Sequence, residues 1–203
     1  MADGLALAQA LCTRLCHDLG GPTGALAGAL ELLQAAEDDA AEVAHDAARI
    51  IDRRLRFWRA AMGGAGELDQ AGLALLAEGL TLGRRASVSL EALAPGCQVP
   101  QDLAPPLLLA MLVGVEALPR GGVLRVGGDP ATHLSIWPDG PSAAWPAGLA
   151  GLIAGTPPPL SPRGVALPLL AATAAAGRVQ LDLLLGPNGS GPPPLLLTAR
   201  GHH

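Results

Sequence analysis

From Leu5 to Leu33, apolar side chains recur at alternating steps of three and four, through Leu5, Ala8, Cys12, Leu15, Leu19, Pro22, Leu26, Ala29 and Leu33. Only a helix gathers such a set onto one face, and the spacing is that of a seam buried against other helices. After the acidic break at Glu37 to Asp39, a second seam runs through Ala44, Ala48, Ile51, Leu55, Trp58 and Met62, and Gly63, Gly64 and Gly66 then stop the helix. Two long helices joined by a few residues make an antiparallel hairpin. A lone hairpin cannot cover two seams, so a homodimer that completes a four-helix bundle is expected.

Beyond Glu67 the texture changes to short apolar segments punctuated by Gly and Pro, the pattern of an α/β layer. Strands are predicted at Ala86 to Leu90, Val123 to Val126, His133 to Trp137, Arg178 to Leu184 and Leu195 to Ala199, and helices at Leu68 to Leu80, Pro106 to Ala117 and Gly164 to Ala176. The predicted class is therefore α+β, with a helical-hairpin dimerisation domain over 1–65 and an α/β sandwich over 66–201. His202 and His203 read as a tag remnant.

With 203 residues, 50% of them hydrophobic, the chain can bury one or two cores. No apolar run reaches the roughly 18 uncharged residues of a membrane span. The opening Met1-Ala2-Asp3 lacks the basic start of a secretory signal, so a cytoplasmic protein away from membranes is expected. Cys12, Cys16 and Cys97 form neither an even disulfide framework nor a CxxC pair, and Cys12 to His17 has the wrong spacing for haem attachment. Thirteen basic residues against 18 acidic ones, with almost no aromatics, argue against nucleic acid as a partner. All the basic residues are arginine; without a lysine, a Walker-type phosphate loop and Schiff-base chemistry are excluded.

His17 falls opposite the first seam, at position f when Leu5 is a, and so should point into solvent. Gly20, Gly21 and Gly24 follow at steps of three, four and seven, leaving the adjacent surface bare. Each glycine costs a helix about 1 kcal/mol against alanine, and three of them beside one exposed histidine suggest that something docks there. Neutral imidazole is a nucleophile near pH 7, and Asp18, reaching round from the flank, could fix its tautomer. Pro22 removes a backbone donor and should bend or loosen the helix.

The string Arg14-Leu15-Cys16-His17-Asp18-Leu19-Gly20-Gly21-Pro22 resembles the H-box of sensor histidine kinases, in which an acid follows the histidine and a proline comes five residues on. With Gly28-Ala29-Leu30-Glu31-Leu32-Leu33 and Leu55-Arg56-Phe57-Trp58-Arg59, it is more similar still to the ChpT-type histidine phosphotransferases of alphaproteobacteria. That resemblance implies His17 as phosphoacceptor, a C-terminal sandwich like a histidine kinase ATPase domain, and partners that are receiver domains of a hybrid histidine kinase and of response regulators. Leu107 to Val126 looks like a kinase N-box running into its Pro-x-Gly-Gly strand, but Val113 stands where a magnesium-binding asparagine would be. Valine offers no oxygen to magnesium. Trp137-Pro138-Asp139-Gly140-Pro141 and Arg163-Gly164-Val165-Ala166-Leu167-Pro168 are poor echoes of the remaining nucleotide motifs.

No ATP and no bound cofactor or metal are therefore expected, the receiver bringing its own magnesium. The expected activity is reversible phosphoryl transfer between receiver aspartates through His17. The alternative is a noncatalytic degenerate kinase that sequesters response regulators. Arg49, Arg53 and Arg56 share one face of the second helix and, with Arg14, are candidates for partner docking, unless Glu42, Asp46 and Asp52 merely pair with them. His45-Asp46 repeats the dipeptide without the proline and is the lesser candidate acceptor.

Overall fold

The computed structural model describes residues 4–34, 39–184 and 191–200. The break near Glu37 and the terminal His202 and His203 lie wholly or mostly outside them. α1 (Gly4–Gln34) and α2 (Ala40–Arg59) pack antiparallel as a hairpin, and α2 runs into a π turn (Ala60–Gly64). Then follow β1 (Leu68–Asp69), α3 (Gln70–Thr81), β2 (Ala86–Leu93), β3 (Gln98–Val99), α4 (Ala104–Glu116), β4 (Gly122–Asp129), β5 (His133–Asp139), α5 (Gly148–Ile153), α6 (Ala166–Ala176), β6 (Val179–Leu183) and β7 (Leu195–Ala199). The class is α+β.

Five strands form a mixed sheet in the order β2-β4-β5-β7-β6, in which only β2 and β4 run parallel. β1 and β3 make a separate two-stranded ribbon that the sequence did not announce, being too short to carry a period. α4 lies between the sheet and the base of the hairpin, and from Pro106 to Val115 it is buried all round. A helix without a polar face belongs in the centre of a core, where each leucine contributes about 1.5–3 kcal/mol.

The α1 seam divides along its length. Leu19, Pro22 and Leu26 are half-buried and Ala29 is buried, but Leu5, Ala8 and Cys12 are exposed. In that first half the inward line is Leu7, Ala10, Leu11 and Arg14, because the sandwich packs against the neighbouring face of the helix. The second seam divides in the same way: Ala44 and Trp58 are buried, whereas Ala48, Leu55 and Met62 are exposed.

At the hairpin base Phe57 and Trp58 meet edge to face, with ring centroids 5.7 Å apart, and α3 crosses α2 at Gly79. A Cβ on Gly79 would stand 2.5 Å from the Arg53 carbonyl oxygen and 2.8 Å from Phe57 Cβ, whereas one on Gly24 would meet nothing within 4 Å. Gly79→Ala should therefore cost about 1–3 kcal/mol by chemical denaturation, against its helix propensity, because backbone cannot retreat as a side-chain tip can. Gly24→Ala should gain about 0.5–1 kcal/mol. Stabilisation by both substitutions would show that α2 and α3 do not touch at Gly79.

Candidate functional site

His17 stands midway along α1 with 77% of its side chain accessible. Gly20, Gly21 and Gly24 are exposed beside it, and an added Cβ at any of them would have open space around it. Gly28 prolongs the row at step eleven, also with room for a Cβ. The intramolecular fold therefore has no steric need for these glycines. They leave a strip of naked backbone leading away from the imidazole.

Asp18 does reach round from the flank. Its Oδ1 lies 3.5 Å from His17 Nδ1, long for a hydrogen bond, while Oδ2 accepts from Arg14 Nε at 2.8 Å. Arg14 also donates through Nη2 to Glu116 Oε1 at 2.6 Å and through Nη1 to the Arg163 carbonyl at 3.2 Å. Arg14, expected among the docking residues, is thus turned inward and only 8% accessible, because α4 presents a carboxylate to it. Burial lowers its pKa, but Glu116 and Asp18 outweigh that and leave it above the usual value. Burial raises Glu116 above the ordinary carboxylate range, and Arg14 only partly pulls it back.

α1 continues unbroken through Pro22. A proline removes the donor that would reach the carbonyl four residues earlier, here that of Asp18. Arg54 of α2 supplies the missing donor, its Nη1 bonding to the Asp18 carbonyl oxygen. Burial lowers the pKa of Arg54, Asp18 opposes this, and Arg84 and Arg14 add repulsion. One residue therefore flanks the imidazole with its side chain and receives a second helix by its main chain.

The family described as the histidine phosphotransferase C-terminal domain matches residues 71–186, more than half of the chain. The chain belongs to the histidine phosphotransferase family. Protein phosphotransferase ChpT of Brucella abortus (strain 2308) is 34% identical over 132 residues, which cover 61% of this chain and 61% of that one. The chain thus spans about three fifths of the length of that curated relative. A solved chain described as the 1.7 Å structure of a bacterial phosphotransferase superposes with a TM-score of 0.75 at 25% identity, covering 98% of each chain.

The remaining candidate residues of this family member are scattered. Arg56 is bound at Nε by both oxygens of Asp52, at 3.0 and 2.8 Å, and Arg49 pairs with Asp46 at 3.2 Å, both as solvated pairs within α2. Arg53 turns to α3, its Nε 3.0 Å from Glu78 Oε2 at an angle that makes no hydrogen bond. Helical geometry puts Arg49 and Arg56 on the far side of α2 from Arg54, the arginine that reaches the histidine's neighbour. His45 is exposed, and the carboxylate beside it is the one paired with Arg49. Val113 is wholly buried in the core, and Asp139 pairs with Arg125 at 3.1 Å.

Sequence reasoning missed Arg54, Glu116 and the Arg163 carbonyl as parts of the site. For Arg54 a signal existed, since a mid-helix proline marks a carbonyl in need of a donor from elsewhere. In Pro22→Ala that carbonyl regains its own helical N–H. Arg54→Ala should accordingly cost less in the Pro22→Ala background than in the wild type, with a coupling of about 1 kcal/mol in a double-mutant cycle. Additive effects would mean that the two residues do not share the carbonyl.

Proposed function

We propose that the chain is a histidine phosphotransferase of a bacterial two-component phosphorelay and that His17 is its acceptor. The observation that carries this reading is an exposed imidazole with one nitrogen beside a carboxylate and the other side of the ring open over bare helix. Nε2 attacks the phosphorus of an aspartyl phosphate on a receiver. A P–N bond forms, the P–O bond to the receiver carboxylate breaks, and that carboxylate leaves with the bonding electrons. The proton on Nδ1 stays shared with Asp18, and the reverse displacement hands the phosphoryl group to a second receiver. This chain supplies nucleophile and position, while the receiver brings magnesium; ATP takes no part.

The partners follow from the same reading: receiver domains of a hybrid histidine kinase and of response regulators, meeting the glycine strip at His17, with Arg49 and Arg56 available to the acidic rim of a receiver. A second copy of the chain completes a four-helix bundle. Exposed Leu30, Leu33 and Val43 at the hairpin tip, with Leu55 further along α2, support that apolar contact. Residues 1–65 would form the dimerising and phosphoaccepting domain and residues 66–201 a kinase-like sandwich that has lost its nucleotide. No helix among the described residues is long and apolar enough to cross a membrane, and the proposed setting is the cytoplasm.

The decisive measurement is transfer of label from a radiolabelled receiver to the wild type, His17→Ala and His45→Ala, with ATP removed. Label on the wild type and His45→Ala but not on His17→Ala is expected. Label on none of them across a panel of receivers would sink the relay and leave a scaffold that sequesters response regulators.

A further inference from the structure

We propose that Glu116, at the end of α4, is a positioning residue for His17. Acting through Arg14, it holds one oxygen of Asp18 away from the imidazole and leaves the other free for it. The sandwich domain thereby sets the tautomer of a histidine that it does not touch. This rests on the reading of His17 as the acceptor.

The argument starts from the shape of a guanidinium, whose donors are fixed in one plane. In Arg14, Nη2 is held by Glu116 at 2.6 Å and Nη1 by the Arg163 carbonyl at 3.2 Å, so the direction of Nε–H is settled by groups in the second domain. That N–H falls on Asp18 Oδ2 at 2.8 Å. An Arg and Asp four residues apart on an exposed helix would be a loose pair. Here their side chains are only 9% and 14% accessible, and the carboxylate is correspondingly fixed.

What remains of Asp18 is Oδ1, 3.5 Å from His17 Nδ1. This is the one polar contact of the ring among the described residues, so nothing else orients it. A solvated histidine side chain favours the tautomer with its proton on Nε2, which would block the attacking nitrogen. A carboxylate beside Nδ1 reverses that preference, and a contact that is long in the resting site can shorten when the receiver arrives. If Glu116 loses its acceptor oxygen, the freed Nη2 of Arg14 can swing to Asp18 and take Oδ1 as well, the two-pronged pairing that arginine and carboxylate prefer. The imidazole then loses its partner, although neither His17 nor Asp18 has been altered.

The test uses the full chain labelled with 15N-histidine. It reads the His17 tautomer by NMR and the single-turnover rate of transfer from a labelled receiver. Wild type should hold its proton on Nδ1. Glu116→Met, close in size but without an acceptor, should move it to Nε2. The rate at saturating receiver should drop about tenfold, with the half-saturating receiver concentration unchanged. Glu116→Gln keeps an acceptor oxygen and should recover most of both. Arg14→Lys keeps the charge but has no fork to fix Asp18, whose carboxylate is then free to turn from the ring; it should move the same two readouts in the same direction, which covers the case where Glu116→Met fails to fold.

A lowered melting temperature with tautomer and rate unchanged would reduce Glu116 to a structural tie and overturn the proposal. So would an Nε2 proton in the folded wild type. Failure of the relay reading would look different: no label would reach the wild-type chain, whatever its tautomer.

Discussion

The arrangement depends on one buried cation. Arg14 sits on a helix that would otherwise carry only apolar groups inward, and it meets two carboxylates and a carbonyl from three parts of the chain. A buried charge with its partners removed costs several kcal/mol, so the hairpin and the sandwich cannot slide past one another without exposing or orphaning it. Apolar contacts such as Leu7 and Leu11 against the core supply adhesion but little register, because hydrophobic attraction has no direction. The ion network supplies the register, and at its end the Asp18 carboxylate is tied to Arg14 beside His17.

The site is also where α1 gives up most of its own stability. Pro22 deletes a helical hydrogen bond, and Gly20, Gly21, Gly24 and Gly28 forgo propensity without any steric demand for glycine. Part of this loss is made good locally, by Arg54 at the Asp18 carbonyl and by Arg14 at its carboxylate. Residues that weaken an element while fitting it poorly are characteristic of places where function competes with folding. Apart from Gly4 at its first residue, the pattern in α1 falls in the stretch from His17 to Gly28, and the helix before it is rich in ordinary formers such as Ala6, Leu7, Ala8 and Leu11.

How much of this was legible in the sequence depends on the range over which each feature is encoded. Helices and strands came through almost residue for residue where period and punctuation were strong, as in Leu195 to Ala199 or the all-apolar stretch of α4. The exposed histidine, the bare surface beside it and the flanking acid were legible because they lie within about two turns of one helix. The ribbon of β1 and β3 and the short α5 were not, being too brief for a pattern. Arg14, expected as a docking residue because an arginine on a helix is usually solvated, is buried instead, and nothing within its own helix reveals a carboxylate 102 positions away. Arg49, Arg53 and Arg56 form a stripe by local spacing, yet the α2 arginine that reaches the site is Arg54, one residue out of step.

The fate of the nucleotide-like motifs follows from the same network. In the N-box-like helix, the position at which a kinase would hold magnesium is Val113, sealed into the core. Three residues on, Glu116 points out of the same helix and takes Arg14, and the lid-like segment contributes the Arg163 carbonyl to the same guanidinium. A surface that presents a carboxylate and a carbonyl oxygen is suited to a cation, and the cation it holds belongs to the chain itself. The sheet-bearing part of the chain thus does more than cover the hairpin: through Glu116 and the Arg163 carbonyl it is the seat on which α1 is oriented at His17.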